Sequence, residues 1–391
     1  FGLMGRGFPK QELKLIDCTV RMFIEPVLDI DVEALQEHLT AIRSHKEQLI
    51  HSSGITKDDL MSNAKFAAAL AEEGVDPPTK ISLTTGKETY AFAKTDRGFQ
   101  ALLRHDTPAV KAMAEARLGV KSTLEETRTQ RFIDIAGRGV LPVPIKYYAA
   151  HTGRWGGDDK INMQNLPSRG NKSLKDSIRA PEGHTLIDCD SSQIEARVLA
   201  WLAGQDDLVE SFDKGEDVYK KMAADIYDVE VEDVTKEQRF VGKTAILGAG
   251  YGMGALRFKE QLKAQSGVDI EANEAQRIIS VYRDSNWKIA QFWRGCQNML
   301  TSMYNNDSAS IGTNNLISSI EQAIMLPSGL GMRYDDLDFE QGERGKEFSY
   351  LTRNGRTRIY GGKVTENVCQ AVARCIIGEQ MLLIARKYKV V

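Results

Sequence analysis

The chain has 391 residues, 42% hydrophobic and 27% charged, enough for about two or three domains with a sizeable core. A net charge of −3 excludes a global electrostatic case for nucleic-acid binding, so any such function rests on local basic residues. No apolar run reaches membrane-spanning length, and Cys18, Cys189, Cys296, Cys369 and Cys375 lack C-x-x-C spacing, which excludes a disulfide framework and a zinc site and leaves a reducing cytoplasm as the simplest setting.

In chain order, the start FGLMGRGFPKQELKL has neither an initiator Met nor a signal-peptide core, and reads as the interior of a longer chain. Residues 28–50 predict an amphipathic helix with Val32, Leu35, Leu39, Ile42 and Leu49 at helical spacings. Residues 60–127 read as short helices around a polar excursion, ISLTTGKETYAFAK. That excursion is either a surface hairpin or a DNA-backbone contact. HTGRWGGDDKINMQNLPSRG is loop-like. HTLIDCD then predicts a short strand, and SQIEARVLAWLAG a helix with Ile194, Val198, Trp201 and Leu202 on one face and Gly204 as its stop.

Residues 206–300 are patterned as helix almost throughout. Residues 305–365 turn strand-like, with YLTRNGRTRIYGG predicting a hairpin around Asn354-Gly355. TENVCQAVARCIIGEQMLLIARKY is a long amphipathic helix, and KVV begins a strand. The order predicts an α+β domain carrying helical insertions.

The stretch RFVGKTAILGAGYGMG, Arg239 to Gly254, invites two phosphate-binding readings that both fail. A phosphate loop needs a glycine five residues before Gly242, where Glu237 stands, and a preceding apolar strand. The dinucleotide fingerprint fails at Met253 and follows a helical pattern. The local chemistry predicts a helix instead. Thr235 and Gln238 have capping-box spacing, and Arg239, Lys243 and Leu247 recur every four residues. Two cations one turn apart grip a polyphosphate, or form an ordinary basic stripe. Gly248, Gly250 and Gly252 weaken or end the helix and let something flat approach beside Tyr251.

The second informative stretch is DCDSSQIEARV, residues 188 to 198. A carboxylate at a strand end beside a helix start suits a divalent metal, with Asp190 and the Ser191 carbonyl as hard oxygen donors. Asp188 shares the strand face, so spacing alone does not choose between the two carboxylates. Ser192 and Glu195 also have capping-box spacing, which gives Glu195 a purely structural alternative.

D-x-S-x-I-E-x-R at Asp190 to Arg197, followed by R-x-x-x-K-x-x-x-x-G-x-x-Y-G at Arg239 to Gly252, resembles the family A DNA polymerases, closest in wording to bacteriophage members. TGRWGGDDKINMQNLP, NWKIAQFW and GGKVTENVCQAVAR resemble further family segments, so the likeness spans most of the chain. It implies an α+β right-hand polymerase fold, with an antiparallel-sheet palm, helical fingers and a helical thumb. Residues 1–22 would be an upstream remnant, 23–127 thumb, 128–205 the first part of the palm, 206–300 fingers and 301–391 the second part of the palm.

The resemblance implies template-directed addition of dNTPs to a primer 3′-hydroxyl, with two Mg²⁺ ions during catalysis. Asp190 and the Ser191 carbonyl would bind metal. Arg239 and Lys243 would bind the triphosphate, with Lys243 assisting the leaving pyrophosphate. Glu195 would close space at the sugar 2′ position, and Tyr251, beside Gly252, would stack at the templating position. Arg154, Gln193, Asn165 and Gln370 match positions that touch the primer terminus or minor groove, where polar groups test pair shape without reading sequence. Asn162, Gln164, Lys121 and Thr123 would contact template or backbone. The implied partners are primer–template DNA, dNTPs and replication accessory proteins, in a host cytoplasm and without a membrane.

Three departures stand out. Leu247 replaces the family's usual Phe or Tyr, and Tyr219 stands where many members carry a phosphate-binding His. The sequence also stops at Val391, where the family's His-Asp-Glu hairpin is expected to begin; by the resemblance that hairpin supplies the second metal-binding Asp, so the 391 residues alone are expected to be inactive. Two other readings stay open: a single-subunit RNA polymerase, and a primer–template-binding fragment without catalytic competence.

Overall fold

The computed structural model describes residues 7–82, 86–167, 171–342 and 345–391. Leu83–Thr85 of the polar excursion and Ser168–Gly170 of the loop-like segment lie outside them, as do Phe1–Arg6. The chain divides into two compact units: one of Phe1–Arg21, Ile145–Asp158 and Asp188–Val390, the other chiefly of Met22–Pro144 and Asp159–Ile187.

The second unit is mostly helical. Its longest helix runs Val32–Ser53 and starts four residues later than the periodicity predicts, because the Asp31 side chain caps the Ala34 amide. Leu28 instead bridges Leu141, and Asp29–Ile30 pairs with Ile178–Arg179. Gly119, in the Pro108–Lys121 helix, lets that helix approach Leu49 closely, since a Cβ there would lie 2.6 Å from Leu49 Cδ1. Leu60, Phe66, Leu70, Phe99, Val110 and Met113 form the core. The excursion is an antiparallel hairpin, Thr79–Ile81 with Glu88–Tyr90.

The first unit combines sheets and helices. Gly331–Arg333, Ala323–Met325, Ile317–Ile320 and Ser310–Ile311 form an antiparallel sheet in that order. Asp338–Gly342, Gly345–Thr352 and Gly355–Ile359 form another. The predicted hairpin is present: Thr352 pairs with Gly355, which takes φ +105°. The helices Ile194–Ala203, Trp287–Tyr304 and Gly361–Ile384 share one core with these sheets, including Leu202, Phe292, Met299, Tyr334, Phe348 and Val368. A second, helical core gathers Phe212, Tyr219, Val241, Phe258, Ile278 and Tyr282. Trp293 packs against both.

Three expectations fail here. Thr185–Asp190 forms no strand, with Leu186 and Ile187 exposed at 45% and 68%. Apolar content does not make a strand without a neighbour to take its backbone hydrogen bonds, and no described strand pairs with it. Lys389–Val391 forms no strand, for the same reason. Trp201 lies off the buried face that Val198 and Leu202 occupy. No helix among the described residues is long and apolar enough to cross a membrane.

Candidate active site

The capping box at Thr235 forms in full. The Gln238 amide donates to Thr235 Oγ1 at 3.2 Å, and the Thr235 amide donates to Gln238 Oε1 at 2.9 Å. The helix then runs Lys236–Thr244. Both cations stand over the Tyr219 ring, Arg239 at 5.4 Å and Lys243 at 5.9 Å from its centre. Tyr219 is only 6% exposed, so its ring floors the cation pair. Burial pushes the Tyr219 hydroxyl above the usual phenol range.

Asp217, which the sequence reading passed over, organises this corner. Its Oδ1 caps the Val218–Tyr227 helix, accepting from the Tyr219 and Lys220 amides at 3.2 and 3.1 Å, while Oδ2 accepts from Arg239 Nε at 2.6 Å. Burial pushes this carboxyl up, but Arg239 and the two amides outweigh it and hold it below the usual carboxylate range. Asp before an apolar run is a readable cap signal; its pairing with Arg239, 22 residues on, is not. Lys243 has no carboxylate partner among the described residues.

Gly242, the glycine of the misleading GKT, has a packing role. A Cβ there would lie 2.2 Å from the Tyr219 carbonyl oxygen and 2.9 Å from the Ala223 nitrogen. After Thr244 the helix widens into a π turn, Ala245–Ala249, so Leu247 does not continue the α-helical face of Arg239 and Lys243. Leu247 is 43% exposed. Gly248 and Gly250 make no room for an outside group. A Cβ at Gly248 would meet Met253, and one at Gly250 would meet the Ile246 carbonyl and Leu199. Gly250 also accepts from Trp293 Nε1 at 2.8 Å.

Tyr251 follows, and Gly252 turns the chain at φ +77°. A Cβ on Gly362 would lie 2.4 Å from the Tyr251 carbonyl oxygen, so the start of the long helix abuts this turn. The Tyr251 hydroxyl donates to Glu195 Oε2 at 3.3 Å, and Arg154 Nη1 donates to Glu195 Oε1 at 3.4 Å. Burial foremost, with the Glu195 carboxylate adding to it, drives the Tyr251 hydroxyl far above the ordinary phenol range.

The capping box expected at Ser192 and Glu195 does not form. Gln193 precedes the helix at φ +55°, with no side-chain cap. A left-handed residue at the entry points the chain away from the cap geometry, and Glu195 is left to bind Arg154 and Tyr251. Gly204 ends this helix at φ +66°, as predicted.

Asp190 is exposed, and its carboxylate has no hydrogen-bond or ion-pair partner among the described residues. The Ser191 hydroxyl donates to Gln380 Oε1 at 2.9 Å. Among the described residues no three His, Cys, Asp or Glu side chains cluster as a metal site. An unpartnered carboxylate of this kind fits Mg²⁺, which takes one or two protein carboxylates and completes its shell with water and substrate phosphates.

Gln370 Oε1 accepts from Thr152 Oγ1 at 3.3 Å, and its Nε2 donates to Glu366 at 3.4 Å. The other residues singled out belong to the second unit. Lys121 and Thr123 are exposed around the start of the Leu124–Ala136 helix. Asn162 caps the Met163–Asn165 turn through the Gln164 amide at 3.1 Å. Arg128 reaches the Asn165 carbonyl at 3.4 Å.

The fold matches a solved right-hand polymerase domain. The POL domain of Pol1 from M. smegmatis, solved in complex with DNA primer–template and dNTP, aligns with a TM-score of 0.67 at 20% identity, covering 96% of this chain and 60% of that one. A sequence model of DNA polymerase family A matches residues 31–314, and the chain belongs to that family. It is 31% identical over 299 residues to the DNA polymerase of Bacillus phage SP02, covering 65% of this chain and 45% of that protein. It is 33% identical over 226 residues to DNA polymerase I of Pseudomonas aeruginosa, covering 57% of this chain and 23% of that protein. The chain thus spans less than half the length of either relative.

Proposed function

We propose that the chain is the catalytic part of a template-directed DNA polymerase, adding dNTPs to a primer 3′-hydroxyl and releasing pyrophosphate in the replication of a phage genome within the host cytoplasm. Membership of family A supports this reading. The observation that carries it is the hydrogen-bonded chain Arg154–Glu195–Tyr251, which joins three residues from distant parts of the sequence that the family resemblance had singled out separately.

Asp190, with the Ser191 carbonyl, would hold Mg²⁺. Two such ions, when bound, supply activation of the attacking hydroxyl and charge stabilisation at the leaving oxygen. The rest falls to side chains. Arg239 and Lys243 bind the triphosphate, and Lys243, without a competing carboxylate among the described residues, neutralises or protonates the leaving pyrophosphate. Tyr219 supports both cations from below. Glu195, pinned on both oxygens, occupies the space a ribose 2′-hydroxyl needs. Tyr251 and Gly252 line the templating position, and Leu247 packs against the incoming nucleotide. Arg154, Gln193 and Gln370 touch the primer terminus or minor groove. Lys121, Thr123, Asn162, Gln164 and Asn165 contact the DNA from the mostly helical unit, which takes the thumb role. Accessory replication proteins complete the assembly.

Primer extension tests the reading. The full gene product with Mg²⁺ is expected to extend a primer with dNTPs and to discriminate against rNTPs, and Glu195→Ala to relax that discrimination. Equal use of rNTPs would favour the RNA polymerase reading. Primer–template binding without extension would favour a binding fragment.

A further inference from the structure

The N-terminal helix, Lys10–Ile24, carries a buried group that the mechanism above does not use. Glu12 and Arg374 are 2% and 4% exposed. Arg374 Nη1 and Nη2 donate to the two Glu12 oxygens at 2.5 and 2.7 Å, and the Tyr147 hydroxyl donates to Glu12 as well. The third donor, Nε, reaches the Gly153 carbonyl at 3.1 Å. Rings of Tyr147, Tyr148 and Trp155 surround the guanidinium at 5.2, 5.6 and 4.8 Å. Trp155 Nε1 donates to Thr19 Oγ1 at 2.9 Å, back on the helix that carries Glu12.

What this pair grips is the loop from Tyr147 to Trp155. Tyr148 and Gly153 both sit in the left-handed region, at φ +53° and +78°. The Arg154 carbonyl closes the loop by accepting from the Ala149 and Ala150 amides at 2.9 and 3.2 Å. Thr152 ties it to Gln370, one turn before Arg374 on the long helix. The Arg154 side chain leaves the loop for Glu195. A buried ion pair is poor evidence of stability for its own sake, since desolvation can outweigh the attraction. A forked guanidinium between a carboxylate and a backbone carbonyl is, by contrast, a strong geometric constraint.

We propose that Glu12 and Arg374 are positioning residues that set the Tyr147–Trp155 loop so that Arg154 meets Glu195, which makes the N-terminal helix a working part of the polymerase site. This rests on the reading that Arg154 touches the primer terminus.

The test uses Arg374→Lys, which keeps the charge but cannot fork to both Glu12 and Gly153, together with Arg154→Ala and the double variant, all in the full chain. Amide hydrogen exchange is measured on the DNA-free protein. Fluorescence of 2-aminopurine at the primer 3′ terminus is measured on bound primer–template. Arg374→Lys is expected to speed exchange of the Ala149 and Ala150 amides by about tenfold, as for loss of a constraint of one hydrogen bond's strength, with the Ile194–Ala203 amides unchanged. Its fluorescence should match that of Arg154→Ala, and the double variant should add nothing further. Unchanged exchange at Ala149 and Ala150, or additive fluorescence effects, would overturn the proposal. If Arg374→Lys melts early, Glu12→Asp, with its shorter reach, carries the same comparison. A wild-type chain giving no primer–template signal would sink the polymerase reading, while the exchange data still decide whether the pair positions the loop.

Discussion

The cationic and anionic parts of the candidate site rest on unlike foundations. Arg239 and Lys243 stand on a helix capped at its start, packed at Gly242 against a neighbouring backbone and floored by a buried ring. Asp190 ends an exposed, irregular segment without a ladder partner among the described residues. The cation pair proposed to grip a phosphate is therefore set in advance by packing. The carboxylate has no such support, and a metal bound there as proposed would set its geometry.

The largest effect that sharpens this contrast belongs to Asp190→Ala. It is expected to slow primer extension by about a thousandfold, while stability to denaturant changes by less than about 0.5 kcal/mol. A stability loss of the size seen for core residues would show that Asp190 has a structural partner, and would break the contrast.

Gly242→Ala should do the opposite. Its methyl meets the Tyr219 carbonyl, and overpacking of this kind costs about 1–3 kcal/mol, readable by chemical denaturation. A neutral result would mean the cation helix is not held by packing. Thr235→Ala removes a formed cap and should cost about 1 kcal/mol, whereas Ser192→Ala, where no cap forms, should stay within about 0.5 kcal/mol. Equal losses would erase the difference between the two helix starts.

The smallest effect concerns Asp217. Asp217→Asn keeps a cap acceptor but releases Arg239, and should lower the dNTP KM by about two- to fivefold, the scale of a partly exposed ion pair. Because the Asp217 carboxyl is held below its ordinary value of 3.8, its contribution to stability is fully present above that pH and is lost as pH falls through the lower, folded-state value. The stability difference between wild type and variant should therefore be flat at neutral pH and shrink only in strong acid. A difference that changed between pH 6 and pH 8 would point to another group.

The legible features were those whose cause is local. The Thr235 capping box, the cation spacing, the Gly204 stop and the Asn354-Gly355 hairpin each need only a few neighbouring residues, and each is present. The Ser192 capping box has the same spacing yet fails, because a left-handed Gln193 and two distant partners claim Glu195. The strand expected at Leu186 and Ile187 needed a neighbour that its own residues do not name. Asp217 with Arg239, Gly242 against Tyr219, and Glu12 with Arg374 across 362 positions are products of folding. Sequence spacing carries no trace of them.

The five-residue turn at Ala245–Ala249 changes what Leu247 and Tyr251 mean. It acts as a phase shifter: side chains from Ala245 on leave the axis at a different azimuth from the one an unbroken α-helix would give, and the helix ends at Gly250, before Tyr251. Counting in fours from Arg239 therefore matches letters but not directions once Lys243 is passed. The heading of Leu247 is set by the turn, so the contact proposed for it with an incoming nucleotide would depend on that heading as much as on its volume.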